Sequence, residues 1–190
     1  MRYWRTATDE QRERGLDWYP DASATVRALI AGTPYTFDQG ARVMAALSPQ
    51  TRWTENVKAA AAVIDAHARG LTLASVRMPN GKGLPGYPAN HLKAWRILEG
   101  DLEALRGPKV IPFYRNIIGD PDNVTVDVWA CRAYDGTDVP GSLRKHRAIA
   151  DAYRRAAKRA GVCPRDFQAV IWTVVRESWQ YASGRNAVAA

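Results

Sequence analysis

Along this chain apolar residues recur three and four positions apart and almost never alternate, a pattern that predicts helices nearly throughout. "PDASATVRALIAG" (20–32) reads as a helix that starts after Asp17–Tyr19 and stops at Gly32. "TFDQGARVMAALSPQ" opens with Thr36 and Gln39 at capping-box spacing and stacks Val43, Met44 and Leu47 on one face. "TENVKAAAAVIDAHARG" (54–70) is alanine-rich and ends at Gly70. "NHLKAWRILEG" (90–100) ends at Gly100, and a short turn, "DLEAL", follows. In "PKVIPFYRNIIG" (108–119), Pro108 stands at the expected first helical position and Gly119 at the expected stop. Pro112 falls early enough that its missing N–H costs little. "VDVWACRAY" (126–134) reads as a short helix, and "SLRKHRAIADAYRRAAKRAG" (142–161) as a long one capped by Ser142 and stopped by Gly161. "PRDFQAVIWTVVRESWQYA" (164–182) has a strongly apolar face, and its aromatic run reads as core. About eight helices are expected, with one irregular stretch, "LASVRMPNGKGLPGYP" (73–88). The predicted fold class is all-α, a single compact helical domain over residues 1–182. The last residues, "SGRNAVAA" (183–190), read as a frayed tail.

Length and composition agree with one domain or two small lobes. The chain has 190 residues, of which 46% are apolar. No apolar run is long enough to cross a membrane, and "MRYWRTATDEQRERG" lacks the apolar stretch of a secretion signal, so a cytoplasmic location is expected. Cys131 and Cys163 lie far apart without a CxxC, which excludes a four-cysteine zinc or iron–sulfur site. His67, His91 and His146 have no metal-binding spacing, so no intrinsic metal is expected. The net charge of +8 favours a polyanionic partner, with nucleic acid the commonest one in the cytoplasm. General surface basicity is the alternative.

Chemistry concentrates in "GPKVIPFYRNIIGDPDNVTVDVWACRAY" (107–134). Asp127, set between valines at a helix start, suits the exposed N–H groups and positive dipole end there, so ordinary capping accounts for it. Lys109 also falls at a helix start, where a cation is slightly unfavourable. Partial desolvation there would make its amine a better nucleophile, whereas a solvated surface lysine would be unremarkable chemically.

At these residues the chain resembles the helix-hairpin-helix DNA glycosylases, including endonuclease III and the 8-oxoguanine glycosylases. "LRGPKVIPF" stands where that family has "L-P-G-V-G-x-K", and "VTVDVWACRAY" is similar to its aspartate segment. The separation, 127 − 109 = 18 positions, is similar too. Upstream, "MAALSPQTRWTENVKAA" (44–60) resembles the family's "LLSxQTxxxxVxxA", with Gln50 at the glutamine. Together the matches cover roughly residues 40–135. The sequence departs by keeping one glycine in the hairpin, by placing Trp129 where a histidine is common, and by lacking iron–sulfur cysteines. "KGLPGYP" (82–88) imitates the hairpin but reads as a loop.

The resemblance implies a two-lobed helical bundle, and an enzyme that binds double-stranded DNA as a monomer and turns a base out of the duplex. Lys109 would attack the sugar C1′ and Asp127 would offset positive charge on the sugar. Gln50, Arg52 and Trp53 would fill the gap or stack on bases, and Gly107 and Trp129 would also contact DNA. For Arg52 a polar helix start, and for Trp53 the core, are the alternatives. No cofactor is implied beyond a possible monovalent cation in the hairpin. Two further readings stay open: a phage-type hypermodification enzyme of the same fold, joining an amine to an activated hydroxymethyl pyrimidine, and a DNA-binding module without catalysis. The basic residues of the 142–161 helix read mostly as a solvated face, with phosphate contact as the alternative.

Overall fold

In the computed structural model, which describes residues 1–182, the described residues form nine α-helices and two single 3-10 turns and contain no strand. The helices are α1 (Arg2–Thr6), α2 (Asp9–Ile30), α3 (Phe37–Leu47), α4 (Trp53–Ala68), α5 (Pro88–Leu98), α6 (Val110–Ile117), α7 (Val128–Asp135), α8 (Leu143–Ala160) and α9 (Pro164–Ala182). The 3-10 turns are Leu73–Ser75 and Leu102–Ala104. The expected tail, 183–190, lies outside the described residues. No described helix is long and apolar enough to cross a membrane.

Most helix ends obey the signals in the sequence. Thr36 and Gln39 form a complete capping box at α3, and Ser142 Oγ accepts the Lys145 N–H at 3.2 Å at α8. Gly161 ends α8 with a left-handed φ of 72°. Two expectations are corrected. α2 begins at Asp9 rather than beyond Tyr19 and runs straight through Pro20. A continuous buried stripe, Gly15, Tyr19, Ala22 and Val26, crosses that position while Pro20 itself faces solvent, so packing outweighs the one backbone hydrogen bond that proline removes. α6 begins at Val110, leaving Pro108 outside it, because Gly107 turns the chain at φ 134° just before.

The chain divides into two compact units: a middle unit, Ala22–Ile118, and an end unit that joins Met1–Asp21 to the chain from Gly119 onward. In the middle unit α3 is central, packed against α4, α5 and α6. Val43, Met44, Ile64, Ile97 and Ile117 are almost fully buried there. Gly40 lets α2 approach α3, since a Cβ at that position would lie 2.6 Å from Ile30 Cγ2. Arg42 ties the unit together: its Nε meets Asp38 Oδ2 at 2.7 Å, and its Nη2 donates to the Tyr114 hydroxyl at 3.1 Å.

In the end unit α9 packs against α1, α7 and α8 over a core that includes Val126, Cys131, Ile149, Tyr153, Phe167 and Val175. Gly15 lets α2 approach α9 closely, because a Cβ there would come 2.6 Å from Val170 Cα. The buried extended stretch Val124–Thr125–Val126 is pinned by Gln168, whose Oε1 accepts the Thr125 N–H at 2.7 Å and whose Nε2 donates to the Thr125 carbonyl. That clamp delivers the chain directly to Asp127.

Candidate functional site

Lys109 is set by the segment that links α5 to α6. After the Leu102–Ala104 turn the chain reverses at Gly107, whose φ of 134° lies in a region that side chains rarely adopt. The Gly107 carbonyl accepts the Ile111 N–H at 3.2 Å and the Lys109 carbonyl accepts that of Phe113 at 3.2 Å, which starts α6. Lys109 is therefore the N-cap residue, with helical dihedrals of φ −89° and ψ −49°. A lysine offers no acceptor to the exposed N–H groups, so its side chain does nothing for the cap.

Half-buried, Lys109 lines a cavity of about 160 Å³ together with Gly107, Arg106, Lys93, Asn90 and Pro49. Lys93 Nζ donates to Asn90 Oδ1 at 3.3 Å. Three basic residues from two segments thus line one small space, and Arg106 Nε donates to the Glu103 carbonyl at 2.9 Å. It is smaller than the roughly 300 Å³ or more of a typical ligand pocket and suits a phosphate or the edge of a sugar rather than a whole nucleotide. Lys93 and Arg106 were not legible as partners of Lys109, since α5 and the following turn bring them there only on folding.

The Gln50 segment borders the same cavity through Pro49. Ser48–Thr51 is a tight turn, closed by the Thr51 N–H to the Ser48 carbonyl at 3.3 Å. Pro49 suits its second position, but Gln50 at the third adopts φ 60°. It is the one non-glycine residue with positive φ among the described residues, and its side chain is exposed. Such a conformation costs about 1–2 kcal/mol, and glycine or asparagine would be cheaper there. The "KGLPGYP" loop lies against this turn: a Cβ on Gly86 would sit 3.3 Å from Thr51 Oγ1. Arg52 is the exposed N-cap of α4, without a side-chain cap bond, and Trp53 is the half-buried first residue of that helix.

Asp127 belongs to the end unit. It is the N-cap of α7, and its Oδ1 accepts the Ala130 N–H at 2.8 Å. Beneath it, burial and then the Asp127 carboxylate push the Tyr153 phenol well above its ordinary range, so that phenol stays neutral. The same two causes raise the Cys131 thiol. Trp129 is half-buried against the end-unit core. The Arg132 guanidinium lies 4.7 Å from its ring and 4.2 Å from that of Trp179, and Arg132 Nε meets Asp138 Oδ1 at 2.6 Å. This stack joins residues too distant in sequence to have been foreseen as neighbours.

The middle unit therefore brings Lys109 and Gly107 to one cavity with Pro49 beside Gln50, while Asp127 and Trp129 are built into the end unit. Neither the curated proteins nor the solved structures offer a match to the chain. A family match extends over residues 1–179, and the chain belongs to that family, DUF7178, described as a family of unknown function.

Proposed function

We propose that this protein is a base-extruding DNA enzyme of the helix-hairpin-helix glycosylase type, with Lys109 as its reactive amine. The observation that carries the reading is the placing of Lys109. A half-buried lysine serves no capping purpose, follows a glycine at φ 134°, and lines a cavity with Lys93 and Arg106. The turn that borders this cavity holds exposed Gln50 at a costly φ of 60°. Backbone strain persists where the surroundings impose it, and an exposed glutamine so held is pre-shaped to enter the gap left by an extruded base.

In the reaction, phosphate oxygens lie against Lys93 and Arg106 while Gln50 replaces the absent base in the stack. The Lys109 nitrogen attacks C1′ through its lone pair and the bond from C1′ to the base breaks. The base departs with the electron pair and takes up a proton. Opening of the sugar ring, with a proton taken up at O4′, then gives a Schiff base between Lys109 and C1′; loss of a C2′ proton to water breaks the C3′–O bond and releases the 3′ phosphate. The resemblance to the glycosylases gives Asp127 the role of offsetting positive charge on the sugar.

The test is borohydride reduction of the protein on duplex DNA carrying an abasic site, then on a panel of damaged bases. Wild type should give a covalent adduct, and Lys109→Gln should give none. No adduct and no released base across the panel would defeat the proposal. A non-catalytic DNA-binding module is the second reading, favoured by the fact that capping alone accounts for Asp127 Oδ1. Under it, Asp127→Asn has no activity to lose.

A further inference from the structure

α8 carries most of the molecule's net charge. Its 18 residues hold seven arginines and lysines against one acid, Asp151, a surplus of +6 in a chain whose total is +8. At about 100° per residue, Arg144, Arg147, Arg155, Lys158 and Arg159 fall within an arc of about 120°. That arc lies opposite the buried line of Ile149, Tyr153, Ala156 and Ala157. All five cations are exposed. The other two are paired, Lys145 Nζ with Asp135 Oδ2 at 2.6 Å and Arg154 Nη1 with Asp151 Oδ1 at 3.0 Å.

Helix stability does not call for this arrangement. The first turn of α8 holds Arg144 and Lys145 but no acid, at the end where the dipole favours carboxylates. Arg144 and Arg147, Arg155 and Lys158, and Arg155 and Arg159 are like-charged neighbours at helical spacing, which weaken a helix. Asp151 is the one acid on this arc, exposed and held by Arg154, so the face sets five cations against one acid rather than the mix of signs that serves solubility alone. From Arg144 to Lys158 the stripe runs about 21 Å at the helical rise per residue, long enough to follow several phosphates of a duplex. Four of its five members are arginines, whose planar forks bind phosphate oxygens in pairs.

We propose that the outward face of α8 binds the phosphate backbone of duplex DNA. This rests on the reading of the protein as a DNA enzyme and adds to it a gripping surface built by the end unit. Contacts of this kind set position and affinity but read no sequence.

The test measures anisotropy of a labelled, undamaged duplex with the full chain over a range of salt concentrations. Wild type is compared with a variant carrying Arg144→Gln, Arg147→Gln, Arg155→Gln, Lys158→Gln and Arg159→Gln. Loss of five phosphate contacts should reduce the slope of log K against log salt by about 4.5 and weaken binding at least about 100-fold at roughly 0.1 M salt. Each single substitution should lower the slope by about one, a readout that holds even if the fivefold variant folds poorly. An unchanged slope overturns the proposal. So does a wild-type protein that ignores duplex DNA yet binds single-stranded RNA or anionic vesicles through these residues. Borohydride trapping separates the two claims. Binding through α8 without a Lys109 adduct sinks the enzyme reading and leaves this one. An adduct with an α8-independent slope does the reverse.

Discussion

The surroundings of Lys109 and of Asp127 differ in what they do for stability. Around Asp127 every feature that can be named also serves the fold. Its carboxylate caps α7, Gln168 clamps the strand-like stretch before it, and Tyr153 fills the core beneath. Around Lys109 the features work against the fold. A lysine occupies a cap it cannot serve, three basic residues line one cavity, and the adjoining turn holds Gln50 in the left-handed region. Sequences that fold well are locally consistent, and departures from that consistency concentrate where function imposes them. The contrast therefore assigns the stronger functional signal to the amine. It leaves the carboxylate with a structural duty that any catalytic one must share.

The sharpest way to separate those two duties is Asp127→Asn. Asparagine caps a helix as well as aspartate, so stability should change by no more than about 0.5 kcal/mol. If the carboxylate also stabilises the sugar cation, base release should fall by about 100-fold or more, an effect of roughly 3 kcal/mol on the barrier. Asp127→Ala should show the same kinetic loss and, in urea denaturation, lose about 1 kcal/mol of stability with the cap. Equal activity in wild type and the Asn variant would break the comparison, leaving Asp127 a cap alone.

Gly107→Ala tests the other side. A side chain at φ 134° should cost about 2 kcal/mol and displace the start of α6, so borohydride trapping should fall along with the urea midpoint. Gln50→Gly should act in the opposite sense on stability. Relief of the left-handed strain, set against the greater freedom of glycine in the unfolded chain, predicts a change between zero and about 1 kcal/mol in favour of folding. Duplex binding should weaken in the same variant. A stability loss would show that Gln50 serves the fold after all.

The smallest effect concerns His146 in the end unit. Burial lowers its pKa from the usual 6.5, and its Nε2 has no hydrogen-bond partner among the described residues. The unfolded chain therefore takes up a proton more readily than the folded one. Stability is at its full value above about pH 6.5 and declines as pH falls through that range toward the lowered folded value. Urea midpoints between pH 7 and pH 5 should decline in wild type and less so in His146→Gln.

Much of this was legible before any coordinates. Thr36 with Gln39, Ser142 with Gly161, and Asp127 at its helix start are short-range signals, because a cap needs only residues within one turn. The all-helical class followed from apolar spacing alone. What could not be read depends on residues distant in sequence or on packing. Pro20 looked like a helix start because proline restricts its neighbours, yet a buried stripe that extends well to either side kept α2 intact. Lys93 and Arg106 join Lys109 only through the turn between α5 and α6. Gln50 closes a segment that reads as helix, and nothing in its side chain announces the turn or its positive φ. The strongly basic face of α8, expected to be mostly solvated surface, stood out once its two ion pairs were separated from the five remaining cations.

The most direct test of the account is to locate the covalent bond itself. Wild-type protein reduced with borohydride on an abasic duplex should be digested and its peptides mapped by mass spectrometry. The added sugar mass should fall on the peptide containing Lys109 and on that side chain. An adduct on Lys93, on the N-terminal amine or on no residue would contradict the assignment of Lys109 as the nucleophile.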